Sequence, residues 1–198
     1  MAKTLKQLRE EARKCQACPL WANATQTVFG AGDPHARVML VGEQPGDEED
    51  KKGLPFVGPA GRLLNQALEA AGVAREQLYV TNAVKHFKWQ LRGKRRLHKT
   101  PAQREIDACH QWLKGEIGMV KPHVIVCLGA TAAKVVISKD FKVSTQRGQF
   151  VESPLAPYVF ATFHPSALLR LQDEAEKEAA FANLVKDLRL IETALSRP

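Results

Sequence analysis

Cys15-Gln16-Ala17-Cys18 has the spacing at which two thiols share a metal centre or form a redox pair, and on its own it leaves both readings open. A second signal lies between Lys85 and Arg104. This stretch holds eight of the 29 Lys and Arg residues and none of the 21 Asp and Glu residues, so it accounts for the whole formal surplus of +8 on an otherwise balanced chain. Such a run is either a solvated charge stretch or a surface for phosphates. Phe87 and Trp89 inside it can stack on bases, which turns the expectation toward nucleic acid. The third signal is a scatter of polar residues just after apolar runs: Glu43 and Gln44, Asn82, Thr131, and His164 with Ser166. Singly each is weak, because a Gly- and Pro-rich turn is common and a lone His-Pro is often only a turn with a satisfied imidazole.

These residues need elements to position them. Apolar runs at Val38 to Gly42, Leu78 to Val84, Val124 to Gly129 and Val159 to Phe163 read as strands, with a further one at Phe150 to Glu152. Helical periodicity covers Thr4 to Lys14, the stretch from Pro59 to Gly72, a segment opened by Thr100 and Pro101, Ala130 to Ile137, and a long closing helix from Asp173 to Leu195. Strands separated by helices predict α/β architecture, a three-layer α/β/α sandwich around a short, mainly parallel four-stranded sheet. Ligands of such sheets bind beyond the carboxyl ends of the strands, so the polar residues above are expected to converge on one cleft.

With 198 residues the expectation is a single domain, 1–198, able to bury a core without disulfides, so the four cysteines are free for chemistry. No apolar run approaches the roughly 18 residues of a membrane span, and the charged N-terminal stretch does not resemble a secretory signal. A cytoplasmic, monomeric protein without a membrane partner is expected. Its sequence pI of about 9.5 suits an anionic partner.

Taken in order, Gly42-Glu43-Gln44-Pro45-Gly46, Pro55-Phe56-Val57-Gly58 with Ala60-Gly61-Arg62, Tyr79-Val80-Thr81-Asn82, Leu128-Gly129 and His164-Pro165-Ser166 resemble the uracil-DNA glycosylase superfamily, specifically its type-4 iron-sulfur enzymes. Gly93-Lys94-Arg95-Arg96-Leu97-His98-Lys99-Thr100-Pro101 is similar to the basic insertion of the UdgX branch, which ends in a histidine. Type-4 enzymes hold a 4Fe-4S cluster on a CxxC and two later cysteines. The resemblance places these ligands on Cys15, Cys18, His86 and Cys109, with His86 departing from the usual cysteine as in the UdgX pattern. Imidazole is an admissible iron ligand that raises the reduction potential, and zinc is the alternative for three thiolates and one imidazole. Cys127 reads as a small core residue, and His35, His110 and His123 as structural or surface residues.

The same resemblance implies DNA repair on uracil-containing DNA, with a single-stranded substrate suited to a flexible basic loop. Uracil must be flipped out to reach a cleft, at a cost of a few kcal/mol. Phe56 is expected to stack on it, Asn82 to read its edge beside Gly42, and His164 to donate to uracil O2 as negative charge develops. Glu43 and Gln44 are expected to face the sugar, and Lys94, Arg95, Arg96 and Ser166 to contact DNA. In the UdgX branch the loop histidine attacks C1′, which places a nucleophile on His98 with Glu43 taking its proton. The expected outcome is a covalent, single-turnover adduct. Two alternatives are a multiple-turnover hydrolytic type-4 glycosylase and a non-catalytic metal-bearing nucleic-acid-binding domain.

Overall fold

The computed structural model describes residues 3–197; Met1, Ala2 and Pro198 lie outside the described residues. Seven strands are present among them: β1 (Ala31–Gly32), β2 (Val38–Gly42), β3 (Leu78–Asn82), β4 (Trp89–Arg92), β5 (Arg95–His98), β6 (Val124–Leu128) and β7 (Tyr158–Thr162). Five form one sheet in the order β1-β3-β2-β6-β7. The four longer strands of this sheet run parallel, as expected, and the two-residue β1 adds an antiparallel edge that its Gly-rich sequence had hidden. Phe150 to Glu152 does not form a strand; Val151 alone makes an isolated bridge to Val159.

The helices are α1 (Leu5–Ala12), α2 (Asp47–Lys52), α3 (Pro59–Ala70), α4 (Gln103–Val120), α5 (Ala130–Val136), α6 (Val143–Gln146), α7 (Pro165–Leu168), α8 (Glu174–Leu188) and α9 (Leu190–Leu195). The long closing helix is thus two pieces that meet at Arg189. Every residue of β2, β3 and β6 is buried, because the alternating side chains meet a helix layer on each face. Val38, Leu40, Val80, Val126 and Phe160 pack with Leu64 and Leu68 of α3 and Leu184 and Leu188 of α8. Met39, Val41, Tyr79, Ile125 and Cys127 pack with Leu113 and Ile117 of α4 and with Ala132 and Ala133 of α5. Truncating one such side chain, for example Leu64→Ala, costs about 2–5 kcal/mol.

The basic segment folds as a β-hairpin, β4 paired with β5, where a flexible loop was expected. Charge hid its alternation. Its two-residue turn starts at Gly93, whose φ of +60° is the left-handed value that a II′ turn assigns to glycine. In register, Trp89 faces His98 and Leu91 faces Arg96, which puts these four on one face and Gln90, Arg92, Arg95 and Leu97 on the other.

Candidate active site

A cavity of about 540 Å³ opens beyond the carboxyl ends of β2, β3, β6 and β7, and its lining includes Glu43, Gln44, Phe56, Asn82, His98, Thr131, His164 and Ser166. The segments named from sequence thus converge. Asn82 ends β3, is 2% exposed, and its Oδ1 has no hydrogen-bond partner among the described residues. A buried acceptor left open in a cavity is poised for a ligand N–H. Phe56 lies against it with φ +55°, a conformation bulky residues rarely hold, and its ring centroid is 5.8 Å from that of His164. A Cβ on Gly42 would come within 2.5 Å of both Asn82 Oδ1 and the Phe56 ring, so only glycine lets the two approach.

His164 caps α7. Its Nδ1 accepts from the Ser166 backbone N–H at 3.1 Å and sits 2.8 Å from the Ser166 hydroxyl. With Nδ1 occupied as an acceptor, the neutral ring carries its proton on Nε2. Burial lowers the His164 pKa to about 4 against the opposing pull of Glu43, so the ring is a neutral donor near pH 7. Ser166, expected on DNA, spends its N–H and hydroxyl on this imidazole.

Glu43 stands at the mouth of the cavity. One oxygen is 3.3 Å from His98 Nε2 and the other accepts from the Thr131 hydroxyl. Burial alone would raise the carboxyl, but the hydrogen bonds from His98 and Thr131, with the two imidazoles close by, outweigh it and hold the group below its usual range. The sequence does not mark Thr131 as a partner of Glu43; only the fold brings α5 beside the end of β2. Glu49 carries no sequence signal either. Its carboxylate accepts from Gly58 N at 2.8 Å and Gly46 N at 3.2 Å, joining the Phe56-bearing turn to the loop after β2.

Residues 29–189 match the family profile of the uracil DNA glycosylase superfamily. The chain belongs to that superfamily. It is 41% identical over 162 residues to a type-4 uracil-DNA glycosylase of Thermotoga maritima, covering 81% of each chain. It is 38% identical over 176 residues to that of Sulfurisphaera tokodaii, covering 84% of this chain and 76% of the relative. Identity to that of Pyrobaculum aerophilum is 35% over 186 residues, covering 89% of this chain and 91% of the relative.

Within this superfamily fold, several residues expected at the sugar or on DNA are already engaged by protein groups. Gln44, expected to face the sugar, lines the cavity with both ends of its amide bound to the hairpin base. Its Nε2 donates to Lys88 O (3.2 Å) and Lys99 O (3.0 Å), and its Oε1 accepts from Lys88 N (3.0 Å), so it clasps both strands at the hairpin base. Arg96 is not a free cation for DNA. It pairs with Asp47 at 2.6 Å and Asp50 at 2.7 Å and lies over the rings of Phe87 and Trp89. Phe87 is 2% exposed, which removes it as a base-stacking surface. Trp89 donates its indole N–H to Asn23 O at 3.0 Å. Of the eight basic residues, Lys85 is buried on Glu116 (2.6 Å) and Lys88 pairs with Glu105 (2.9 Å). Arg92, Lys94 and Arg95 remain exposed at the hairpin tip.

The expected metal ligands also gather in one region, at the junction of α1, the segment after β3, and α4. Cys15, Cys18 and Cys109 share an apolar pocket with Leu8, Leu20, Phe29 and Trp112. Trp112 donates to Cys15 Sγ at 3.2 Å and Lys85 N to Cys109 Sγ at 3.5 Å. Burial raises the Cys18 thiol and pushes that of Cys109 up to about 11. His86 is fixed through its Nε2, 2.9 Å from Thr27 Oγ1, and its buried Nδ1 has no partner among the described residues. No three His, Cys, Asp or Glu side chains among the described residues close on one point as a single ion requires. A cluster asks for less, since each of its irons takes one donor. Three thiols and an open buried imidazole nitrogen fit that donor set.

Proposed function

We propose that this protein excises uracil from DNA and becomes covalently joined to the exposed sugar through His98. The observation that carries the reading is the His98–Glu43 pair at the mouth of the Asn82–Phe56–His164 cavity. A flipped uracil entering this cavity would meet the Phe56 ring. The open Asn82 Oδ1 would accept its N3–H, and the His164 Nε2–H would donate to O2. Cleavage of the C1′–N1 bond sends its electron pair into the uracil ring, and a fixed donor at that oxygen is worth about 3–4 kcal/mol.

His98 has its Nε2 turned to the Glu43 carboxylate, which leaves the lone pair of the other ring nitrogen for C1′. As the new C–N bond forms, the imidazole proton passes to Glu43 and the ring stays neutral. A neutral N-alkyl imidazole is a poor leaving group, so water does not regenerate the enzyme. Single-stranded DNA is the preferred substrate in this reading, because no pairing energy opposes flipping.

Cys15, Cys18, His86 and Cys109 would hold a 4Fe-4S cluster. Its contribution is structural, tying α1 and α4 to the segment that enters the hairpin, since glycosidic cleavage moves no net electrons. The purified protein should be brown with a broad visible absorption; a colourless, zinc-loaded and fully active preparation overturns the cluster.

The deciding experiment is a denaturing gel with labelled uracil-containing single-stranded DNA. A shifted band that survives boiling in detergent supports the adduct. An alkali-labile cut without a shifted band supports hydrolytic turnover, and neither signal leaves only binding.

A further inference from the structure

The catalytic cavity does not end at His98. Thr100 and Thr131 line both it and a second groove of about 480 Å³, which continues between α4 and α5. The chain leaving β5 runs from the reacting histidine directly into this groove. His110 of α4 and Lys134 and Lys139 on the α5 side line its walls, and all three side chains are exposed. One carboxylate is present, Asp107, and it accepts from Gln103 Nε2 at 2.8 Å. Neither Lys134 nor Lys139 makes an ion pair among the described residues, in contrast to Lys85, Lys88 and Arg96 of the hairpin region. Two cations thus stand free in a groove continuous with the place where C1′ must sit.

We propose that this groove carries the DNA backbone on one side of the flipped nucleotide, with Lys134 and Lys139 contacting its phosphates. The occupant follows from continuity and charge. A strand that delivers a base into the first cavity leaves it on two sides; Arg170 lines the cavity itself, whereas the exit past Thr100 is the one that continues as a second groove with unpaired cations. Neither lysine belongs to the basic run between Lys85 and Arg104, so net-charge counting does not find them.

The proposal rests on uracil-DNA chemistry at the main site, and its test separates the two. Binding of a fluorescein-labelled single-stranded oligonucleotide with thymine in place of uracil is measured by anisotropy between 50 and 200 mM salt. Lys134→Glu/Lys139→Glu should flatten the slope of log K against log salt by about 0.7 for each phosphate no longer neutralised, about 1.4 in all. Lys6→Glu/Lys14→Glu, on the α1 side, makes the same change of charge and should leave the slope nearly unchanged. An equal effect from both pairs would mean a general field and overturn the groove, as would an unchanged slope in the first pair. A second arm uses uracil oligonucleotides shortened from either end. The difference between wild type and the Lys134/Lys139 variant should vanish on trimming one side and persist on trimming the other; symmetrical loss also overturns the proposal. If no adduct or uracil release occurs on any oligonucleotide, the reading of the main site fails while the thymine slopes still judge the groove.

Discussion

His98 Nε2 and Glu43 Oε1 lie 3.3 Å apart although 55 residues separate them, because β5 returns the hairpin to the end of β2. The pair makes a direct prediction. His98→Ser removes the nucleophile and should abolish the boiling-resistant band, and Glu43→Gln should retain the fold but slow adduct formation by about 10²-fold or more, the usual scale of a general base. A shifted band that persists in His98→Ser assigns the nucleophile elsewhere.

Thr131 holds the second oxygen of Glu43, and its hydrogen bond is among the forces keeping that carboxyl below its usual range. A lowered carboxyl is ionised through the neutral range and loses activity only as pH falls through its pKa. Thr131→Val should therefore move the acidic limb of the rate–pH profile to higher pH and slow the reaction about tenfold at its optimum. That factor, about 1.4 kcal/mol, is at the low end of one charge-assisted hydrogen bond, about 1.5–3 kcal/mol. Thr131→Ser should restore both; an unshifted limb in the valine variant would mean that Thr131 only packs.

Gln44 carries three hydrogen bonds to the hairpin base, each worth about 0.5–1.5 kcal/mol net. Gln44→Ala should loosen β4 and β5 while leaving Asn82, Phe56 and His164 in place. Adduct formation should slow by roughly 30- to 100-fold, the equivalent of about two such bonds, and tryptic cleavage at the Lys94–Arg95 turn should accelerate. A slowed reaction with unchanged cleavage would return Gln44 to the sugar-facing role expected from its position after Glu43.

The sandwich and the convergence of Glu43, Asn82 and His164 were readable because they depend on apolar runs and on a rule about strand ends. The hairpin was not. Its strands are built of Trp, Gln, Arg, Leu and His, and their pattern reflects anchoring to Asp47, Asp50 and Gln44 more than burial of an apolar face. Charge counting erred for a related reason. It treats Lys85 in the core and Lys94 at a turn as equal, whereas burial and partners decide which cations a phosphate can reach. Glu49 left no local signal, and Thr131 was marked for the cleft but not as a partner of Glu43, since these roles are hydrogen bonds between separate segments of the chain.

That distinction among cations can be measured. Arg92, Lys94 and Arg95 are exposed, so replacing all three by Gln should flatten the salt dependence of DNA binding by about 0.7 for each phosphate they neutralise. Arg96→Gln should leave the slope nearly unchanged. It breaks the links to Asp47 and Asp50 and should act on the adduct rate through hairpin mobility, seen as faster amide exchange in β5. A slope change from Arg96→Gln equal to that of Arg95→Gln would mean that Arg96 leaves its carboxylates when DNA binds.

Beneath the cavity, Glu116 and Lys85 form an ion pair at 2.6 Å with side chains 0% and 1% exposed. Glu116 also accepts from Gly30 N, Tyr79 OH and Thr81 Oγ1, while Lys85 donates to the Asn82 carbonyl at 2.6 Å. Burying two charges is repaid only while both partners and their hydrogen bonds stay in place. Glu116→Ala strands the Lys85 ammonium and three donors, and should cost about 3–5 kcal/mol. For a chain of this size that lowers the thermal midpoint by roughly 6–20 °C. Glu116→Gln/Lys85→Met removes both charges and should recover a large part of the loss, because the main penalty is the unpaired ammonium. If the double variant is no more stable than Glu116→Ala, the hydrogen bonds from Gly30, Tyr79 and Thr81 outweigh the ion pair in holding β3 and Asn82 in place.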